Sequence, residues 1–490
     1  MKNKKTYILS IDQGSTSTKA IIYDENLNLI SNAQVKTKEI YPKYGWVEQN
    51  PNEIIESVKK TIIESLKLAS LKIETINSIG ITNQRESVVF WDKKTKLSLC
   101  NMISWQCLRG IDFCNSIKNT QIESIINKST GLKADPYFSF SKIVWALNNN
   151  KNIIKSLKNN TLAVGTIDSW IMFNILEDNP HYTDITNASR TGLFNTLDEK
   201  WDLEILKKLN INKEILPKVF SSNHNFGKIN NKIFGANKLV NSVLGDQHAS
   251  LYAHKSNKKF EIKCTYGTGG FLLIDTGDER LKYNNNFLST IGYKKNINTT
   301  FALEGSILSS GSALEWMKSI NIFDNFEKIE ENLSNTEFSE LIFIPALNGL
   351  GAPFWNGNIR ASIENITTKT TKNDILRSAL ESIAFSTKSI IQTIEKTINY
   401  KIETLKIDGG MSKSNFFASF LSDLLGIKIM VAKNHEMTSM GVAKLSLESN
   451  LEKVNFKNLY IEYKPIKKNL VKFNKKFLKW EKIIESKLKE

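Results

Sequence analysis

Two aspartates stand where a short apolar run gives way to a polar cluster: Asp12 after YILSI and Asp246 after VNSVLG. A carboxylate at a strand end can organise Mg²⁺ through water or take a proton from an attacking hydroxyl, the two services phosphoryl transfer asks of a protein. The same residue type at the same place also makes helix N-caps and Asx-turns, and a lone Asp does not separate these readings. Beside the carboxylates lie three clusters of small residues, Gly14 to Ser17, Gly267 to Gly270 and Gly409 to Ser414. Glycine lets the backbone approach an anion closely, and successive N–H groups form a nest for phosphate oxygens. One such cluster is an ordinary turn; three, each closing an apolar run, make a case for a nucleotide site. Neither GxxxxGKS/T nor a GxGxxG after a strand occurs, which excludes Walker-type and dinucleotide fingerprints.

NQRES places Arg85 beside Glu86. Neighbours on a strand point to opposite faces, but at a strand end or bulge both can converge on one ligand. A donor and an acceptor together suit a polyol, and a surface ion pair is the plain alternative. Trp105 and Phe271 could wall the carbon face of such a ligand, although most Trp and Phe are simply core.

The elements that must position these residues alternate between strand and helix. YILSI and TKAIIYD, joined by DQGSTS, predict a hairpin, and the apolar period from Pro51 to Leu71 predicts an amphipathic helix. INSIGIT, VNSVLGDQ, FEIKCTYGTGG and ETLKIDGGMSKSN read as strands ending in polar clusters, and the segment from Lys372 reads as a helix. In open α/β sheets, ligands bind at the carboxyl ends of strands. The chain is therefore α/β throughout. The polar stretch AHKSNKKFE marks a division into 1–253 and 254–490. An Asp–Gly echo, Asp12-Gln-Gly-Ser against Asp408-Gly-Gly-Met-Ser, hints that the halves repeat.

A length of 490 residues exceeds what one core usually supports, and 41% apolar with 24% charged residues excludes a largely disordered chain. The net charge of +16 raises nucleic acid or an anionic membrane as partner. With 60 lysines but only 6 arginines, a dedicated nucleic-acid reader is disfavoured, because phosphate and guanine recognition favours the guanidinium fork. The abundance of Lys, Asn and Ile fits AT-rich codon usage and a solvated basic surface. Cys100, Cys107, Cys114 and Cys264 form no CxxC pair and have no His nearby to complete a zinc site, so free thiols in a reducing compartment are expected. Charge interrupts every apolar run short of a membrane span, and the basic start MKNKK precedes too short a run for a signal core. A soluble, cytoplasmic protein is expected.

DQGSTSTKAIIYD, GITNQRES, WQCLRG, DPYFSFSK, GTIDSW, TDITNASRTGLFN, GDQHA, TYGTGGF, ALEGSILSSGSALEW, GLGAPFW, DGGMSKSNF and TSMGVA occur in that order. Together they resemble the FGGY carbohydrate kinase family from about residue 7 to about residue 450, and NQRE places the resemblance with its glycerol kinases rather than its sugar kinases. The resemblance implies two actin-like (ribonuclease H-like) ATPase domains with the active site in the cleft between them. It implies ATP and Mg²⁺ as cofactors, glycerol as acceptor, and sn-glycerol 3-phosphate and ADP as products. It also implies a homo-oligomer, dimer or tetramer, without nucleic-acid partner or membrane insertion. Carried over residue by residue, Arg85, Glu86, Tyr137, Asp246 and Gln247 hold glycerol, with Trp105 and Phe271 along its carbon chain. Asp246 is the base, and Asp12 organises the metal. Ser15, Thr16, Ser17, Lys19, Thr268, Gly311, Glu315, Gly410 and Ser414 fall on the nucleotide side.

Ser15 stands where the family usually has Thr, Lys19 where Arg is frequent, Glu315 where Gln is common and Ser414 where Asn is common. The last two bear on nucleotide affinity. From Lys464 to Glu490 ten lysines face three glutamates, while Leu470, Phe473, Phe477, Trp480, Ile484 and Leu488 fall on one helical face. A helix docked by that face on the second domain, lysines in water, is expected; a membrane-surface or partner-binding helix is the sharper alternative. Of the six arginines, Arg85, Arg109 and Arg190 lie inside the motifs and Arg360 five residues after GLGAPFW, in the same family segment; these four are expected in geometric roles. The competing readings are a related kinase of another polyol or ketopentose, and an ATP-dependent switch of the actin type.

Overall fold

The computed structural model describes residues 5–256, 258, 260–334, 336–449 and 459–490. The basic residues 1–4 lie outside this range, as do Asn257 and Lys259 of the segment expected to divide the halves. Two large sheets organise the chain. The first contains β1 (Tyr7–Gln13), β2 (Ser17–Asp24), β3 (Leu29–Lys36), β4 (Ile76–Asn83), β5 (Gly227–Lys228) and β6 (Leu239–Gly245), in the order β5-β6-β4-β1-β2-β3. The β1–β2 pair is the expected hairpin, and β4 and β6 run parallel to β1. Buried Leu9, Ile11, Ile22, Ile79, Ile81 and Val243 pack against Ile54, Ile55, Val58 and Ile62 of helix α1 (Pro51–Leu68). This helix opens with Pro51 in its first turn and the Asn50 side chain accepting from Asn52 N–H. It stops at Leu68 rather than at Leu71, because Ser70 turns into the left-handed region at φ 53° and the chain folds back.

The second sheet contains β7 (Ile262–Tyr266), β8 (Gly270–Gly277), β9 (Leu288–Lys295), β10 (Asn298–Ile307), β11 (Thr404–Asp408), β12 (Lys428–Ala432) and β13 (Tyr460–Tyr463), in the order β9-β10-β8-β7-β11-β12-β13. Here β7 and β8 form a hairpin, and β11 then β12 return parallel to β7. The halves do repeat, but not in the pairing that Asp–Gly suggested. The Asp12 turn, first hairpin of its sheet, corresponds to the Tyr266–Gly270 turn. Asp408-Gly409, at the end of the next parallel strand, corresponds to Asn83-Gln84. Turn composition misled because Asp-Gly marks any tight turn, whereas strand order marks the repeat.

The remaining helices used below are α2 (Asp246–His254), α3 (Gly311–Ser319), α4 (Lys372–Ile398), α5 (Asn415–Leu425), α6 (Met437–Glu448) and α7 (Lys467–Lys487). The chain passes from first to second sheet between His254 and Ile262, yet α6 returns to the first: Ser10 Oγ donates to Ser439 O, and Ser242 Oγ to Val442 O, both at 2.9 Å. The two halves are thus interlocked by an element of the second.

On α7, Phe473, Phe477, Trp480 and Ile484 are buried in the second core against Phe385 of α4 and Phe420 of α5. Leu488, placed on that face by its spacing, is 38% exposed at the frayed end. Lys476, expected in water with the other lysines, is buried and donates to Glu381 Oε2 at 2.5 Å; Glu381 also accepts from Arg377 Nε at 2.8 Å. Arg377, outside every motif, therefore holds a buried ion pair, whereas Arg360, shortly after GLGAPFW, lies on the surface against the carbonyls of Gly357 and Ile359. The four thiols are free, and burial pushes Cys100, Cys114 and Cys264 up to about 12, leaving them inert. Among the described residues no helix is long and apolar enough to cross a membrane.

Candidate active site

The charged residues gather where the carboxyl end of the first sheet meets β10 of the second. Strand β4 ends at Asn83, so Arg85 and Glu86 lie beyond it, and Glu86 adopts φ 62°. A non-glycine residue in the left-handed region is strained, and here the kink lets adjacent side chains point the same way. Arg85 donates to Glu304 through Nη1 at 2.6 Å and Nη2 at 3.2 Å, and its Nε lies 3.2 Å from Asp246 Oδ1. Arg190 joins Glu86 (Nε, 2.6 Å) to the same Glu304 (Nη2, 3.0 Å). Burial alone would raise the Glu304 carboxyl, but Arg190 and Arg85 outweigh it and hold it at about 2. Bidentate guanidinium–carboxylate contacts of this kind fix geometry as well as charge. Gly245 makes room for the arginine: a Cβ there would sit 2.8 Å from Arg85 Cγ.

The segment TDITNAS supports this cluster from behind. Asp184 caps the short helix Ile185–Ser189 and accepts from Thr186 Oγ1, which in turn accepts from Gly245 N–H at 2.9 Å. Asn187 and Asn83 exchange side-chain amide bonds at 2.9 and 3.1 Å. One buried helix thereby holds both the residue before Asp246 and the strand end before Arg85. Asp246 itself opens α2 and remains 28% exposed, the most open carboxylate of the cluster. Burial pushes its carboxyl above the usual value, with Arg85 opposing.

Aromatic walls come from both halves. Trp105 meets Tyr137 edge-on at 5.6 Å, and the Phe271 ring of β8 lies 5.9 Å from the Arg85 guanidinium carbon. The Trp105 indole N–H donates to Ser15 Oγ at 2.8 Å, tying this wall to the β1–β2 turn. Behind it, Gln84 donates to Gln13 Oε1 and Gln49 Oε1, and Gln49 Nε2 donates to Ser15 O at 2.7 Å. Gln247, next to Asp246, is buried and accepts from Lys263 Nζ at 2.7 Å.

The glycine clusters form the other end. Gly267 and Thr268 are exposed at the tip of the β7–β8 turn, which is seated on the start of α3: Gly311 N–H donates to Gly267 O at 2.9 Å, and Ser310 and Ser312 N–H donate to Thr268 O at 3.1 and 3.0 Å. The buried hydroxyls of Ser310 and Ser312 have no hydrogen-bond partner. Gly409 turns at φ 90°, where a Cβ would lie 2.4 Å from Tyr266 O, while a Cβ on Gly410 would meet nothing within 4 Å. Asp408, just before them, accepts from Ser250 Oγ at 2.8 Å and lies 2.6 Å from His254 Nε2. Across the gap Thr16 is exposed, Ser17 begins β2 almost buried, and Lys19 is held by both Glu436 oxygens at 2.7 Å.

Asp12 faces Lys19 in the hairpin register, and burial pushes its carboxyl up to about 7 against the pull of Lys19. Among the described residues no group of three or more His, Cys, Asp or Glu could cage a metal. A single carboxylate with the buried, unpartnered Thr82 hydroxyl on the neighbouring strand does fit Mg²⁺, which keeps its waters and takes one or two carboxylates plus substrate oxygens.

The expected residues do not all converge. Glu315 is exposed on α3, one turn beyond Gly311, and Ser414 is engaged elsewhere: it donates to Glu330 Oε1 at 2.5 Å and accepts from Phe417 N–H as the cap of α5. Glu304 and Lys263 are missing from the residues the sequence singles out. Each leaves a signal, a charge inside the apolar runs FALEGSIL and FEIKCTY, since buried charges need partners.

Residues 7–252 match the N-terminal domain of the FGGY family of carbohydrate kinases, and residues 262–447 match its C-terminal domain. The chain is 40% identical to a glycerol kinase of Lactobacillus acidophilus over 446 residues, 90% of this chain and 89% of that one. It is 39% identical to glycerol kinase 2 of Thermotoga maritima over 442 residues, with 90% and 89% covered. The crystal structure of Plasmodium falciparum glycerol kinase with ADP superposes with a TM-score of 0.88 at 34% identity, covering 98% of both chains. Two domains with mixed α/β sheets and matches to both family halves leave one assignment: the chain belongs to the FGGY family of carbohydrate kinases.

Proposed function

We propose that the chain is a Mg²⁺-dependent glycerol kinase, converting ATP and glycerol into ADP and sn-glycerol 3-phosphate. The observation that carries this reading is the meeting of Asp246, partly open and fixed by Arg85, with aromatic walls from both halves. Such a space offers charged donors and acceptors to hydroxyls and flat faces to a short carbon chain. The kinship with glycerol kinases supports the choice of acceptor.

In this reading Arg85, Glu86, Tyr137, Asp246 and Gln247 bind glycerol, and Trp105 and Phe271 flank its carbons. Asp246 accepts the proton of the terminal hydroxyl as that oxygen bonds to the γ-phosphorus and the bond to the β–γ bridging oxygen breaks. Its raised affinity for a proton suits a base, and its contact with Arg85 fixes the direction of approach. Ser15, Thr16, Ser17, Lys19, Thr268, Gly311 and Gly410 line the nucleotide side, with Glu315 at its rim. Ser414 acts there by holding the start of α5 behind Gly410. Mg²⁺, held by Asp12 through water, would neutralise phosphate charge. We assign residues 1–253 and 254–490 as the two domains, and place the protein in the cytoplasm as a homodimer or homotetramer. A coupled ADP-release assay tests the central claim: ADP should appear only with glycerol present, and faster than with erythritol or xylulose. Glycerol-independent hydrolysis would instead indicate an ATP-driven switch, and a preference for xylulose would indicate a ketopentose kinase.

A further inference from the structure

Lys263 lies on β7, wholly buried, with two acceptors: Gln247 Oε1 at 2.7 Å and Thr265 Oγ1 at 2.9 Å. Both are neutral. An ammonium has three donors and no acceptor, so whatever meets it must offer an oxygen. The orientation of a side-chain amide is normally open, because its oxygen and nitrogen look alike; here the partner decides it. With Oε1 turned to Lys263, the Nε2 of Gln247 is turned away, on the residue that follows Asp246 in the first turn of α2. The contact also crosses the molecule, since α2 belongs to the first half and β7 to the second sheet. It continues as a chain: Thr265 Oγ1 lies 3.2 Å from Ser250 Oγ, which donates to Asp408, the residue before the Gly409 turn.

We infer that Lys263 is a positioning residue that locks the Gln247 amide so that position 247 meets the acceptor substrate only as a hydrogen-bond donor. The inference rests on the glycerol kinase reading and deepens it. It divides the hydroxyl contacts by kind: Asp246 and Glu86 can only accept while ionised, and Gln247, held by Lys263, can only donate. A hydroxyl has one proton to give and lone pairs to receive, so a diol lacking the hydroxyl that faces Gln247 leaves a buried donor unmet. Sites built on such bonds reject the deoxy analogue strongly. A lysine at 263 thus serves specificity without touching the substrate.

Steady-state kinetics of the full chain test this, using glycerol, 1,2-propanediol and 1,3-propanediol as acceptors, with the ATP KM and a thermal melt for each variant. Wild-type ADP release that does not depend on glycerol would refute the underlying reading before any variant is compared. Given glycerol dependence, Lys263→Met should raise the glycerol KM about tenfold with the ATP KM within about twofold, and narrow the preference for glycerol over one of the diols. Gln247→Glu keeps Lys263 paired but replaces the donor by an acceptor, and should raise the glycerol KM similarly. The double variant should be no worse than the poorer single one, because both remove one contact. A glycerol KM and diol preference near wild type in Lys263→Met would overturn the inference, as would a change confined to the ATP KM. If Lys263→Met fails to fold, Gln247→Glu decides alone: wild-type glycerol KM there means no donor is needed at 247, and the inference falls.

Discussion

The two sheets present the same frame and finish it differently. In the first, the parallel strands run out into charged side chains: β1 into Asp12, β4 into Arg85 and Glu86, β6 into Asp246. In the second, the equivalent strands run out into glycine: β7 into Gly267 and Thr268, β11 into Gly409 and Gly410. One end of the cleft is therefore built from side chains already bonded to one another, the other from largely exposed backbone. A small neutral polyol has no charge to find its own place, so its site must be rigid and directional. A polyphosphate brings its own charge, and backbone N–H groups plus room are enough to receive it.

The largest way to break this comparison is at Asp246. Asp246→Asn keeps the shape and the Arg85 neighbour but removes the base. We expect kcat to fall about 10³-fold with glycerol still bound, measured by initial rates and by glycerol-dependent protection from thermal unfolding. Near-normal turnover would transfer the role of base elsewhere and leave the charged end merely a binding frame.

Next in size is Glu304, the second sheet's contribution to the charged end. Glu304→Gln leaves Arg85 and Arg190 without their shared counter-charge, and should destabilise the protein by about 3 kcal/mol in urea unfolding at pH 7. The pH dependence carries a sign. The folded carboxyl is held at about 2 against an ordinary 4.5, so its contribution is full above 4.5 and is lost as pH falls through about 2. The gap between wild type and Glu304→Gln should therefore close as the pH is lowered over that interval. A gap that persists at the acid end would mean packing, not charge, is what Glu304 supplies.

The glycine end is sharpened by a pair of substitutions. Gly409→Ala must accommodate φ 90° and a Cβ 2.4 Å from Tyr266 O, so it should lose about 2 kcal/mol of stability as well as ATP affinity. Gly410→Ala meets nothing within 4 Å, so stability should stay within about 0.5 kcal/mol while the ATP KM rises several-fold. Equal melting temperatures for the two variants would show that the turn is not held as its backbone suggests.

Legibility followed the same division. Strand ends carrying Asp, Arg and the glycine clusters could be read from residue type and position, because apolar runs that stop at polar clusters announce where a sheet meets its ligand. Arg85 beside Glu86 could be noticed but not oriented: only the left-handed backbone of Glu86 shows why neighbours share a face. Glu304 escaped notice because its partners are 219 and 114 residues away, and no local pattern encodes such a pairing. The burial of Lys476 on α7 is hidden for the same reason, its partner Glu381 being 95 residues off. The Asp–Gly echo points to a repeat but not to the turns that correspond, since strand order is a property of the sheet and not of the segment.

The smallest effect concerns Ser414, which the family resemblance puts on the nucleotide side and whose hydroxyl the structure commits to Glu330 and to Phe417 N–H. If the glycine end works through backbone alone, Ser414 contributes only by capping α5, and Ser414→Ala should cost about 1 kcal/mol of stability and leave the ATP KM nearly unchanged. Ser414→Asn restores a capping side chain and should recover the lost stability. A several-fold rise in ATP KM for Ser414→Ala, with stability unchanged, would place a side-chain contact at the glycine end. The two sheets would then differ in degree, each meeting its ligand with side chains, instead of dividing the task between side chain and backbone.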